Sequence, residues 1–172
     1  HYPARETKLD EEVVLELHQA ASKHVLNLNV TIQAGEIVGI AGLVGAGRSE
    51  VLRLVLGVDR LERGHIIFNG KKLSTLNPQT AWTYGLAYIP EERRSQGLIL
   101  GRSISDNVSL PHLRPMSKLG VWLNPSLERQ RAQILGEHVR LRARDVKQKS
   151  RQLSGGNQQK VLFARALAQQ PK

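Results

Sequence analysis

The 172-residue chain contains no cysteine, which excludes disulfides and thiolate metal sites and suits a reducing compartment. Aromatic residues make up only 4%, too few for the interleaved stacking platform with which proteins grip single-stranded nucleic acid. No apolar run approaches the roughly 20 residues that span a bilayer, and the polar start HYPARETKLDEE lacks the apolar core of a secretory signal. The expectation is a soluble chain that meets a membrane only through a partner. Acidic residues are the minority charge: 15 Asp and Glu stand against 25 Lys and Arg, a formal net charge of +10. Much of the excess falls in RQRAQILGEHVRLRARDVKQKSR, residues 129–151. Such a run raises nucleic acid, anionic lipid or phosphate as partners, although a solvated basic helix and loop is the plainer account.

The length suits one domain with a sizeable core. Residues 1–10 are polar and aperiodic and read as a linker. VVLEL (13–17) and the alternating VLNLNVTI (25–32) read as strands. GEIVGIAG (35–42) and GLAYIP (85–90) read as short buried strands, the first running into a glycine turn and the second stopped by Pro90. SEVLRLVLG places Val51, Leu52, Val55 and Leu56 at helical spacing, with Gly57 as a left-handed stop. In GHIIFNGKKL, Asn69-Gly70 predicts a hairpin turn. Asn77-Pro78 and Asn124-Pro125 each offer an N-cap followed by proline in the first turn. The first predicts a helix through Tyr84; the second predicts one with Leu127, Ile134, Leu135, His138 and Val139 on its apolar face. QQKVLFARALA (158–168) is apolar on most sides and predicts a buried helix ended by Pro171. The order predicts an α/β protein with an all-helical subdomain.

Two stretches carry chemistry. Gly42-Leu43-Val44-Gly45-Ala46-Gly47-Arg48-Ser49, followed by Glu50, matches the strand, G-x-x-x-x-G-K-[ST], helix pattern of phosphate-binding loops except that arginine replaces lysine. Its glycines let backbone N–H groups surround a phosphate at a positive helix end, and Ser49 stands where a hydroxyl coordinates the nucleotide's magnesium. The second stretch, Leu153-Ser154-Gly155-Gly156-Asn157-Gln158, opens a helix with a hydroxyl and two glycines, again an anion cradle. Read blandly, the first is a glycine turn and the second an N-cap.

LSGGNQQKVLFARALAQQPK is very similar to the signature motif and following helix of ATP-binding cassette ATPases, with the GGNQQK form of the sugar-import branch. GEIVGIAGLVGAGRSEVL and YIPEERRSQGLILGRSISDNVSL look like the second of two cassettes that sugar-import ATPases carry in one polypeptide, where arginine in the loop is typical. The resemblance covers nearly the whole chain and is weakest over 112–150. It implies a P-loop ATPase fold of the ABC type, with an antiparallel β subdomain and a helical subdomain at about 103–157, within a partial domain over 11–172.

The same resemblance implies ATP and Mg2+ as ligands. Gly42, Gly45, Gly47, Arg48 and Ser49 fall on the nucleotide loop, with Ser49 and Glu91 toward the metal. Glu91 stands where cassettes usually have a glutamine that touches magnesium or the attacking water. Ser154, Gly155 and Gly156 match residues that complete the opposite cassette's site. His18 or His24 is the nearest candidate for stacking on adenine, and Arg93 and Arg94 lie in a segment near the permease contact or are plain loop charges. Implied partners are transmembrane permease subunits, the first cassette of the same polypeptide and, indirectly, a periplasmic sugar-binding protein, at the cytoplasmic face of a bacterial inner membrane. Nucleic acid is not expected; the alternatives are a cassette acting on ribosome or nucleic acid, and a binding-only nucleotide module. The family's Walker B aspartate, catalytic glutamate and switch histidine have no counterpart up to Lys172. The expectation is therefore a piece without its own general base, a strand at 35–42 with open edges, and self-association or disorder around 41–50.

Overall fold

The computed structural model describes residues 12–73, 76–112, 117–118 and 122–171, so the expected linker over 1–10 lies outside the described residues. The chain forms two compact units, His1–Tyr84 and Gly85–Lys172.

The first unit is built on an antiparallel sheet in which β1 (Val13–Ala21) is flanked by β2 (Leu28–Gln33) and β3 (Arg63–Phe68), with β4 (Lys71–Lys72) beyond β3. Leu15 and Leu17 stand opposite Ile32 and Val30 on one side and opposite Phe68 and Ile66 on the other. The two-residue side-chain period puts these six on one face, and Leu17, Ile66 and Phe68 are buried there. β1 runs four residues past the expected end, whereas β2 starts at Leu28 rather than Val25. Residues 22–27 instead turn about Ser22, whose Oγ accepts from the backbone N–H groups of His24 and Val25. Asn69 and Gly70 have φ of +47° and +71°, the two positive values that a type I′ hairpin requires.

Helix α1 (Arg48–Val55) follows the glycine loop. Its buried side is Leu54 and Val55, while Leu52 is exposed; the expected stripe through Leu52 is thus rotated, and Val51, Leu54 and Val55 share the inward side. The end at Gly57 is as expected. Its N–H donates to Leu54 O and the Val58 N–H to Arg53 O, the paired bonds of a Schellman stop, with Gly57 at φ +68°. In α2 (Pro78–Thr83), Asn77 Oδ1 accepts from the Thr80 N–H while Thr80 Oγ1 accepts from the Asn77 N–H. That reciprocal cap satisfies two otherwise orphaned donors.

The expected buried strand over 35–42 is not formed. Residues 36–43 make no ladder with any described strand, and Ile37, Val38, Ile40 and Leu43 are exposed, Ile37 at 95%. A β-branched run favours extended backbone, but an extended segment becomes a strand only where a neighbour accepts its hydrogen bonds. The same correction applies to 85–90, which is half-buried and unpaired, with Pro90 buried. All strand pairings among the described residues are antiparallel.

In the second unit, α3 (Ile104–Ser109), α4 (Pro125–His138) and α5 (Gly155–Leu167) pack on one another around Leu98, Ile104, Val108, Ala132, Val161, Leu162 and Ala164. Fully burying a side chain such as Leu162 contributes about 1.5–3 kcal/mol. The short hairpin β5 (Ser117–Lys118) and β6 (Trp122–Leu123) precedes α4. Asn124 Oδ1 caps α4 by accepting from the Ser126 and Leu127 N–H groups. The inward face of α4 is Ala132 and Gly136, with Leu135 and Val139 beside them. Leu127, Ile134 and His138, expected inside, instead line an open groove of about 820 Å³ with Leu167, Ala168 and Pro171. α5 begins at Gly155 and ends at Leu167, with Ala168 as its C-cap, four residues before Pro171.

Segments 99–105 and 146–151 zip together. The N–H groups of Ile104 and Ser105 donate to Gln148 O and Val146 O, and those of Ser150 and Arg151 donate to Arg102 O and Leu100 O. Asn107, 1% exposed, ties this seam. Its Oδ1 accepts from the Ile99 N–H at 2.8 Å, and its amide nitrogen lies within 3.0 Å of Ile99 O, Ser103 O and Ser150 Oγ. The seam delivers the chain, through a short 3-10 turn at Ser150–Gln152, to Leu153 and the start of α5.

Candidate nucleotide site

In the first unit, residues 42–49 close into a turn. The Ala46 N–H donates to Leu43 O at 3.0 Å, and the Val51 N–H opens the helix ladder to Gly47 O. Gly45 and Gly47 have φ of +84° and +82°, and a change of backbone hand at alternate residues gathers N–H groups on one side of a loop. A Cβ on Gly42 would stand 2.8 Å from the Ala46 Cβ, so the loop doubles back too closely for a side chain there. No side chain caps α1, which leaves its first-turn donors to solvent or to a ligand. Leu43, Val44, Arg48 and Ser49 are exposed and Glu50 is half-buried. Among the described residues, no carboxylate pairs with Arg48 and nothing bonds the Ser49 hydroxyl. This donor set, uncapped N–H groups with a free guanidinium and a free hydroxyl, fits a polyphosphate with a hard divalent cation.

The two histidines differ in what surrounds their rings. His18 stacks on His65 with ring centroids 4.8 Å apart and its Nε2 lies 2.9 Å from Glu16 Oε2. His24 is exposed.

In the second unit, the hydrogen-bond directions at the start of α5 are determined by their neighbours. The Arg142 N–H donates to Asn157 Oδ1 at 3.0 Å, so Asn157 must turn its amide nitrogen toward Ser154, whose Oγ it meets at 3.1 Å. Ser154 Oγ also accepts from the Asn157 N–H at 3.4 Å. A hydroxyl has two acceptor positions and one hydrogen. With both positions engaged, Ser154 keeps its hydrogen for an incoming acceptor, beside the first-turn N–H groups of Gly155 and Gly156. Ser154, Gly155 and Gly156 are exposed. A cleft of about 560 Å³ beside them is lined by Arg142, Arg144, Gln148 and Asn157, which adds positive charge. Leu153 is buried and anchors the loop.

Gln158 behaves otherwise than its place in the motif implies. It is 2% exposed, and its Nε2 donates to Ser150 O and Leu153 O while its Oε1 accepts from Arg93 Nε at 3.2 Å. It braces the loop from behind and is closed to an incoming ligand. Arg93 is therefore not a free loop charge, whereas Arg94 is exposed. Residues Arg93–Gly97 form a single wide π-turn. Glu91 just before it is exposed, with no described partner. Its carboxylate is thus available to a metal. No cluster of three His, Asp or Glu able to hold an ion by itself occurs among the described residues. The Arg93–Gln158 and Asn107–Ser150 contacts span 65 and 43 residues of sequence, and no local signal announces them.

A glycine loop feeding an uncapped helix, together with a serine-capped diglycine helix, defines a P-loop nucleotide-binding protein. Residues 25–172 match the ABC transporter family, and the chain belongs to it. It is 40% identical to the ribose import ATP-binding protein RbsA of Chromobacterium violaceum, over 99% of this chain and 34% of that protein. It is also 40% identical to the RbsA of Bacillus licheniformis over the same shares. The chain thus spans about a third of the length of the curated relatives it matches. Among solved structures it is similar to an ATP-binding cassette in a dimeric post-hydrolysis state bound to ADP and Pi, with 26% identity, a TM-score of 0.72, 91% of this chain covered and 70% of that one. A cassette of another ABC transporter, 18% identical with a TM-score of 0.73 over 93% of this chain and 66% of that one, shares the fold.

Proposed function

We propose that the chain is part of the ATP-binding subunit of a monosaccharide importer, the second of two cassettes in one polypeptide, acting at the cytoplasmic face of a bacterial inner membrane. The observation that carries this reading is the Ser154 hydroxyl, whose hydrogen is left to donate beside two glycine N–H groups. Membership of the ABC family and likeness to ribose import proteins supply the transport context. In this reading translocation falls to transmembrane permease subunits, with a periplasmic sugar-binding protein delivering the sugar; no helix among the described residues is long and apolar enough to cross a membrane.

In this reading residues 42–50 bind the polyphosphate of one ATP. Arg48 replaces a slim ammonium with a broad planar fork that pairs well with phosphate oxygens but crowds a cradle shaped for lysine, so binding survives better than turnover. Ser49 would be a ligand of Mg2+ at this loop, which when bound would offset phosphate charge. Ser154, Gly155 and Gly156 complete the ATP site of the first cassette in trans, donating to the terminal phosphate as charge develops there.

ATP hydrolysis by this chain alone, and mixed with the intact first cassette at fixed magnesium, tests the scheme. Turnover appearing only in the mixture and vanishing with Ser154→Ala supports it. Turnover insensitive to Ser154→Ala yet lost with Arg48→Ala refutes it.

A further inference from the structure

Arg93 sits at the unfavourable end of a helix. A Cβ built on Gly155 would stand 2.9 Å from its Nη2, so the guanidinium lies over the first turn of α5, where helix partial charge is already positive. It is held there by geometry. Its Nε donates to Gln158, and Gln158 is fixed in turn by two carbonyls of the turn that leads into Ser154. Seven residues further along α5, Arg165 Nη1 donates back to Gly97 O at 2.6 Å. Gly97 is buried, and a Cβ there would come within 3.0 Å of Leu162. The π-turn 93–97 is therefore fastened at its first residue and at its last to the same helix, two turns apart.

We propose that Arg93 is a positioning residue for the signature loop: it makes the Glu91 to Gly97 segment and the first turn of α5 move as one piece. The inference rests on reading Ser154–Gly156 as half of an ATP site. A guanidinium over a positive helix end is unfavourable until an anion docks beside it. Phosphate at Gly155 and Gly156 relieves that repulsion, so nucleotide binding tightens the fastening. By linkage, a shift of segment 91–97 alters the grip on nucleotide equally. A neutral donor at residue 93 could reach Gln158 but would not carry this dependence.

The test uses the full-length protein reconstituted with its permease in lipid vesicles. ATPase kcat and KM are measured with and without transported sugar for Arg93→Ala, Arg93→Gln, Arg93→Lys and, as control, Ser154→Ala. Arg93→Ala is expected to cut the ratio of sugar-stimulated to unstimulated turnover by about threefold to thirtyfold, with Tm shifted by less than about 2 °C. Arg93→Lys restores most of the ratio, and Arg93→Gln restores little. An unchanged ratio in Arg93→Ala while Ser154→Ala abolishes turnover overturns this proposal alone. A Ser154→Ala protein that hydrolyses normally overturns the site reading and this proposal with it. A loss shared equally by all three Arg93 variants and matched by a fall in Tm marks a purely structural contact and also overturns it.

Discussion

Arg165 donates through Nη1 to the carbonyl oxygen of Gly97, and among the described residues no carboxylate balances its charge. Burial lowers its pKa below the ordinary arginine value. The guanidinium is kept because Gly97 O is a buried acceptor. Arg165→Met removes the desolvation cost but orphans that carbonyl, and an orphaned buried acceptor costs about 1–3 kcal/mol. The expected net result is a lower urea midpoint for Arg165→Met, with Arg165→Lys in between. A methionine variant as stable as the parent would show that the charge costs as much as the bond returns.

Asn107→Leu keeps the volume but leaves the Ile99 N–H, Ile99 O and Ser150 Oγ without their buried partner. The expected loss is at least about 2 kcal/mol. Hydrogen exchange at the Ile99 amide should accelerate well beyond that of the α5 interior. Uniform acceleration across the unit would instead indicate global destabilisation with no local role for the seam.

Glu128, in the first turn of α4, has its carboxyl pKa raised, first by burial and then by the charge of Asp106, with Arg129 opposing. A raised carboxylate favours the folded state only while it is protonated. Its contribution is fully present below the ordinary glutamate range and is lost as pH rises through the raised value. Glu128→Gln should therefore match the parent near pH 3 and exceed it at neutral pH. The group is partly exposed, so the gain is a few tenths of a kcal/mol at most. Melting curves across that pH range check the sign; a variant less stable at neutral pH would reverse it.

Gly57 and Gly70 separate two costs of a side chain. Both have positive φ, +68° and +71°, but a Cβ on Gly57 would meet the Leu76 backbone at 2.4 Å while Gly70 has open space. Gly70→Ala should lose only the strain of a left-handed alanine, about 1–2 kcal/mol. Gly57→Ala adds a backbone collision and should cost clearly more. Equal Tm changes would mean that the Leu76 segment yields freely.

What was legible in the sequence was local. Asn69-Gly70, Asn77-Pro78, Asn124-Pro125, Gly57 and Ser154 all act within a few residues of themselves, so their turns, caps and stops appear where their chemistry places them. Apolar patterning was less faithful, because it reports a wish for burial without naming the partner. Residues 36–43 are apolar yet unpaired, and Leu127 and Ile134 face a groove while Ala132 and Gly136, with little hydrophobicity, turn inward. The motif residues of both cradles were visible. The braces behind one of them, Arg93, Gln158 and Asn107, were not, since each bond joins groups far apart in sequence.

The chain Arg142, Asn157, Ser154 has a consequence for what the second cradle accepts. Because a backbone N–H fixes the amide, and the amide fixes the hydroxyl, the serine proton has one sense and cannot reverse to suit its visitor. On the proposed reading of Ser154–Gly156 as half of an ATP site, the loop sorts ligand atoms by polarity before shape matters: an oxygen that only accepts is welcomed, and an ammonium or other pure donor meets a hydrogen pointing at its own.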